Sequence, residues 1–176
     1  MLDTLGKAVR LAMGQDNPAE AKRLLTVALS SARRERDPGR AIHVIRALAQ
    51  IEAHLGNEGE VLRLYGEAVA MARKLDDPRV LAHTVRHLGD LHRRAGRYAE
   101  AQPHYEEALD IYRRDETTPS GELANAVRPM ALLMEALGEN EAARTLWGEA
   151  RVLYGKAGVE AGVEECDVAL SRLAGL

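Results

Sequence analysis

Three arginines recur in the chain at a fixed distance from a glycine. Each lies ten residues before its glycine, and a side chain able to form hydrogen bonds lies three residues before each arginine, which gives the sequences HVIR, HTVR and NAVR. The arginines are Arg46, Arg86 and Arg128, and the polar residues before them are His43, His83 and Asn125. Residues three apart share one face of a helix. A row of guanidinium groups binds carboxylates or phosphates through paired hydrogen bonds.

This arginine row has two interpretations. In the first, it binds a partner segment that carries spaced carboxylates, a phosphate or a C-terminal carboxylate, and the surface includes Gln50 and Asp90, each four residues after an arginine of the row. In the second, the arginines pair with acidic side chains of adjacent helices and help to stack them. The candidate binding residues are His43, Arg46, Gln50, His83, Arg86, Asp90, Asn125 and Arg128.

The histidines raise the alternative of a metal site. His83 and His87 lie four residues apart, Asp90 follows, and zinc accepts such ligands together with His43. Paired histidines on a charged helix are more typical of solvent-facing or hydrogen-bonding residues, and the chain has neither an HExxH motif nor a cysteine pair. We therefore expect no metal and no other cofactor. Since nucleophile-elbow, Walker and dinucleotide-binding motifs are missing too, we expect a non-catalytic protein.

Composition excludes further classes of function. The net charge of −3 gives no global attraction to nucleic acid or to anionic lipid, although arginine is abundant. No stretch approaches the roughly 20 apolar residues of a membrane span, and the N-terminus lacks the layout of a secretory signal. The single cysteine, Cys166, cannot form an internal disulfide and is expected to be a small buried residue. The expected location is the cytoplasm, without a nucleic acid or membrane partner.

A repeat positions the arginine row. The segments HLGNEGEVLRLYGEAV, RAGRYAEAQPHYEEAL and ALGENEAARTLWGEAR align without gaps, and their glycines, Gly56, Gly96 and Gly138, are 40 and 42 residues apart. Such a period indicates stacked supersecondary units. Two columns of small residues let helices approach closely, and a larger residue fills the space between them. The small columns are Ala21, Val61, Ala101, Ala143 and Ala28, Ala68, Ala108, Ala150; the large one is Leu25, Tyr65, Tyr105, Trp147.

Apolar spacing of three and four residues predicts two helices in each unit and no strand. The first helices are predicted at 3–13, 39–55, 79–94 and 121–137, and the second helices at 18–34, 58–75, 98–114 and 140–155. A further helix at 160–174 is expected to close the stack. The predicted fold is all-α, one domain over 1–176 with repeats at 1–37, 38–77, 78–119 and 120–158.

The segment from His83 to Arg114 resembles a tetratricopeptide repeat. The residues that carry the resemblance, in the order and spacing of that family, are Leu88, Gly89, Gly96, Tyr98, Ala101, Tyr105 and Ala108. The period exceeds the usual 34 residues and is similar to the longer repeats of kinesin light chains. The resemblance implies a right-handed α-solenoid of antiparallel helix pairs whose first helices line a concave groove. It also implies a scaffold that binds a protein or peptide segment there, and the arginine row suggests an acidic one.

A second hypothesis for function remains open. In this hypothesis, the chain is a self-associating structural module or the regulatory repeat fragment of a larger protein. The predicted first helix is short and leaves apolar side chains incompletely covered, which favours a homodimer. These side chains are Leu2, Leu5, Val9 and Leu11.

Overall fold

A computed structural model describes residues 17–175, which fall into two compact units that meet between Thr84 and Val85. Every regular element between 17 and 175 is an α-helix, and no strand occurs in this range. The predicted all-α class is therefore confirmed. The predicted helix at 3–13 and the four apolar residues expected to support a homodimer lie outside the described residues.

The first unit contains three whole helices and the beginning of a fourth. They are α1 (Pro18–Arg34), α2 (Pro38–His54), α3 (Glu58–Ala72) and the start of α4 (Pro78–Arg94), which continues into the second unit. Helix α2 packs against both α1 and α3. Asp37 and Asp77 begin the first helices, because their Oδ1 atoms accept hydrogen bonds from backbone amides three residues later, at 2.9 and 3.1 Å. A proline at the first helical position follows each of them, as such sites favour.

The second unit contains the rest of α4 and four more helices. They are α5 (Tyr98–Arg114), α6 (Ser120–Leu137), α7 (Asn140–Ala157) and α8 (Glu160–Ala174). From α5 onward, each helix packs against the next one along the chain. Helix α8 buries Cys166, Ala169 and Leu173 on one stripe, as expected of a closing helix. Among residues 17–175, no helix is long and apolar enough to cross a membrane.

Glycine ends four of the eight described helices in the same way. Gly56, Gly96, Gly138 and Gly158 have positive φ angles of 76°, 71°, 78° and 68°. In each turn, the amide after the glycine donates to the carbonyl five residues before it, as Asn57 does to Glu52 at 2.9 Å. The three glycines expected to be helix stops are thus confirmed. Arg36 ends α1 in the same conformation, with φ 55°, although it is not a glycine.

The predicted core columns are buried throughout. Among the large residues, Tyr105 is 0% exposed and Trp147 is 1% exposed. Close packing requires glycine at two positions: a Cβ on Gly89 would lie 2.8 Å from the Tyr105 ring, and a Cβ on Gly162 would lie 2.6 Å from the Tyr154 ring. These two glycines, together with the buried columns of small residues, allow the close approach of helices that the sequence predicted.

Two helix ends differ from their predictions by more than one residue. Helix α3 ends at Ala72 rather than at residue 75, because Lys74 and Leu75 donate hydrogen bonds only three residues back, to Met71 and Ala72. Such bonds tighten the last turn and end the α-helical pattern. Helix α7 continues to Ala157, two residues beyond its prediction, and stops at Gly158.

Candidate functional site

The arginine row is shared between the two units. Arg46 belongs to the first unit, and Arg86 and Arg128 belong to the second. In the first unit, Arg46 is half-buried on α2, and its Nη2 atom lies 3.1 Å from Nε2 of His83 on α4. The side chains of His43 and Gln50 are exposed on α2 and form no hydrogen bond with other residues between 17 and 175.

In the second unit, Arg86 belongs to a largely buried polar network between α4 and α5. Its side chain is 14% exposed and donates to Asp90 at 3.3 Å, while its Nη2 atom lies 2.9 Å from Nε2 of His87. The Tyr105 hydroxyl donates to the other oxygen of Asp90 at 2.9 Å. Burial raises the pKa of Asp90, but the hydrogen bond from His87 and the charge of Arg86 outweigh it and lower the pKa below its ordinary value. Asp90 is therefore an ionised acceptor that joins the two helices.

Arg128 on α6 makes a two-pronged ion pair with Glu165 on α8. Its Nε and Nη2 atoms donate to the two carboxylate oxygens at 2.7 and 2.5 Å. These hydrogen bonds raise the pKa of Arg128 above its ordinary value. The Arg128 side chain nevertheless stays 37% exposed. The third nitrogen, Nη1, has no hydrogen bond to any residue from 17 to 175.

Asn125 lies one helical turn before Arg128, on the same face of α6. Its Oδ1 atom accepts a hydrogen bond of 2.9 Å from the Tyr154 hydroxyl. Burial raises the pKa of Tyr154, which keeps this phenol protonated and donating. Asn125 is exposed, and its amide NH2 group has no acceptor within the described part of the chain. Two adjacent donors of α6, one charged and one neutral, are thus left for an external acceptor.

Ion pairs between helices about one repeat apart occur elsewhere in both units. Arg33 on α1 pairs with Glu67 on α3, and Arg113 on α5 pairs with Glu149 on α7 at 2.8 Å. These pairs, like that of Arg128, fit the second interpretation of the arginine row, in which arginines help to stack neighbouring repeats. The acidic partners were not predicted from the sequence. A search for arginine and glutamate separated by 34 to 37 residues would have found them.

The residues considered for a metal site have other contacts. His83 lies against Arg46, and His87 lies against Arg86 and Asp90. Between residues 17 and 175, no three histidine, cysteine or acidic side chains come close enough together to hold a metal ion. Cys166 is fully buried, and burial raises the pKa of its thiol to about 11. A thiol in this environment is not a reactive nucleophile at neutral pH.

Part of the repeat region matches a known family model. Residues 79–151 match the family model of the tetratricopeptide repeat. No curated protein matches the chain in sequence. The predicted resemblance is therefore confirmed by the family model over a segment that contains α4, α5, α6 and most of α7.

Solved structures with the same fold cover nearly the whole chain. BtubC (BKLC) from P. vanneervenii has a TM-score of 0.78 at 16% identity, over 99% of this chain and 80% of that one. Aspartyl phosphate phosphatase F from Bacillus subtilis has a TM-score of 0.85 at 16% identity, over 97% of this chain but only 44% of that one. Kinesin light chain-like repeats from Podosopora anserina have a TM-score of 0.69 at 16% identity, over 98% and 94% of the two chains. At such identities the likeness shows the fold alone.

Proposed function

We propose that the chain, whose residues 79–151 match the tetratricopeptide repeat model, is a non-catalytic scaffold that binds an acidic segment of another protein. The proposed contact residues lie on first helices of the repeats: Arg46 with its exposed neighbours in the first unit, and Arg128 with Asn125 in the second. The cytoplasm is the proposed location. A solenoid of helix pairs offers long exposed faces and no enclosed reaction chamber, which suits docking better than catalysis.

The observation that carries this proposal is the pair of available donors on α6. Arg128 Nη1 and the Asn125 amide are one turn apart, and neither is used by the described chain. A partner carboxylate can accept hydrogen bonds from both groups while Glu165 still holds the rest of the Arg128 guanidinium. A hydrogen bond to a charged group contributes about 1.5–3 kcal/mol. We therefore assign the main contact in the second unit to these two residues.

The other candidate residues have two different roles in this proposal. In the first unit, His43 and Gln50 are exposed on either side of Arg46 and extend the contact surface. In the second unit, the contacts of Arg86 and Asp90 with Tyr105 and His87 hold α4 in place. These buried groups position the surface rather than touch the partner. His83 supports Arg46 in the same way.

Selection from a phage-displayed library of random peptides tests the proposal. We expect the selected peptides to be rich in aspartate and glutamate. Their affinity should fall at least about tenfold in Arg128→Gln, because a charged hydrogen-bond donor is lost. It should also fall as NaCl is raised from about 0.05 to about 0.5 M, since salt screens exposed charges.

Arg151→Gln is the matched control. Arg151 also pairs with an acidic residue of α8, Asp167, and its side chain is 48% exposed. It lies on α7, a second helix, so its loss should leave peptide affinity within about twofold. Equal losses in both variants, or selected peptides without acidic residues, would contradict the proposal. Light scattering tests the alternative, because a homodimer would have twice the 19.3 kDa mass of the chain.

A further inference from the structure

An apolar pocket lies in the first unit where the end of α1, the start of α2 and the end of α3 meet. Its volume is about 310 Å³. The apolar lining comes from Ala32, Pro38, Ala41 and Met71. Both alanines are buried, whereas Met71 is half-buried, so its flexible thioether forms part of an accessible wall. The pocket is large enough for one apolar side chain of a partner.

The rim of the pocket carries two arginines and one aspartate. Arg33 and Arg36 line it together with Asp37. The Asp37 carboxylate is used as a helix cap, through a hydrogen bond of 2.9 Å from the Arg40 amide. Arg33 is held by Glu67, whereas Arg36 is exposed and forms no ion pair with any residue between 17 and 175. Arg40, just beyond the pocket, is also paired, with Glu35 at 2.6 Å, so among the described residues the cation left for a partner at the rim is Arg36.

Arg36 occupies a backbone conformation that glycine adopts at lower cost. Its φ is 55°, and Asp37 donates to the carbonyl of Ala32 at 3.0 Å, the same turn that glycines form at four other helix ends. A side chain in this conformation strains the backbone. The chain thus carries a strained arginine at the rim of an apolar pocket, where glycine would be more stable. Such an exception suggests a use for the side chain.

We propose that this pocket binds an apolar side chain of a partner segment whose neighbouring residues are acidic. The apolar side chain contacts Met71 and Pro38 above the two buried alanines, and the adjacent carboxylates contact Arg36 and the outer part of Arg33. The inference goes beyond the function proposed above, because the pocket shares no residue with the arginine row. It adds a second recognition point for an acidic partner, one that requires an apolar anchor.

Capped pentapeptides test this proposal. The probe has a leucine between two pairs of glutamates, and the comparison peptides replace either the glutamates by lysines or the leucine by serine. Binding is followed by the NMR methyl signals of Ala32, Ala41 and Met71. We expect only the leucine–glutamate peptide to shift these signals.

Variants at the rim complete the test. Arg36→Gly should weaken binding of the probe about fivefold or more while raising the melting temperature, because it removes both the charge and the strain. Arg36→Lys should keep the affinity within about threefold. The control Arg34→Ala removes an exposed charge outside the pocket and should change affinity less than about twofold. Arg128→Gln should have no effect, which separates this pocket from the surface on α6.

Several results would overturn the inference. One is the absence of methyl shifts with the leucine–glutamate peptide, and another is equal shifts with the lysine peptide. Unchanged affinity in Arg36→Gly would show that the arginine plays no part. Methyl shifts that depend on protein concentration without peptide would show that a second copy of the chain occupies the pocket instead.

Discussion

The close contact between Gly89 and Tyr105 allows a quantitative test of the packing in the second unit. A Cβ at Gly89 would lie 2.8 and 2.9 Å from two carbons of the Tyr105 ring and 3.3 Å from the Ala101 carbonyl oxygen. The ring cannot easily retreat, because it is fully buried and its hydroxyl is bonded to Asp90. The variant Gly89→Ala should therefore overpack the contact between α4 and α5.

The expected magnitude is the balance of two effects. Overpacking by one methylene-sized group costs about 1–3 kcal/mol, whereas alanine in a helix interior is more favourable than glycine by about 1 kcal/mol. The net loss of stability in Gly89→Ala is about 1 kcal/mol. For a chain of this size, that lowers the melting temperature by about 2–4 °C.

Gly148→Ala is the matched control in the same unit. A Cβ at Gly148 in α7 would meet no atom within 4 Å. Only the propensity gain remains, so this variant should raise stability by about 1 kcal/mol. The difference between the two variants isolates the overpacking cost.

Urea unfolding provides the assay. The chain has one tryptophan, and Trp147 is buried in the second unit, so its fluorescence reports the unfolding of that unit. Midpoints are compared rather than intensities, because Gly148 adjoins the fluorophore. If Gly89→Ala were as stabilising as Gly148→Ala, the contact with Tyr105 would be refuted.

Two further predictions follow from buried groups. Burial, and then the charge of Arg97, lower the pKa of His92 in the folded state. The unfolded state therefore binds the proton more readily, so neutral His92 contributes to the stability of the fold above about pH 6.5. This contribution is lost as the pH falls below about 6.5 and through the lowered pKa of the folded state. Urea midpoints between pH 5 and pH 8 should show this loss, and His92→Gln should reduce it; a pH dependence unchanged in that variant would refute the assignment. Cys166, whose thiol pKa is raised to about 11 by burial, should react with iodoacetamide at pH 8 only after urea unfolding, as mass spectrometry can measure. Rapid labelling of the native protein would show that the thiol is accessible.

The helices and their ends could be read from the amino-acid sequence. The signals are local: Asp37 and Asp77 cap helices through amides three residues away, and Gly56 and Gly138 end helices through bonds within the same turn. The buried columns were also readable, because a period of 40 to 42 residues brings equivalent faces together. The end of α3 was misjudged by three residues, since its last turn tightens without a glycine.

The candidate site was only partly readable. The sequence identified Arg46, Arg86 and Arg128 as one column, but which polar groups pair with them was decided by the packed structure. Glu165 lies 37 residues from Arg128 and on another helix. No local pattern distinguishes it from Glu164, which is exposed and adjacent. Similarly, the buried network of Asp90 and Tyr105 depends on how α4 and α5 pack.

For this protein, then, the sequence by itself determined the all-α class, the repeat, most of the helix ends and the identity of the buried faces. Helix formation and capping depend on residues within about one turn of each other. Residues close together in the sequence are therefore enough to predict where most helices begin and end. Only the tertiary structure decided which arginine donors are satisfied internally and which, at Asn125 and Arg128, remain available. Pairing between helices depends on their relative rotation and separation, and these are set by the packing of all the side chains between them.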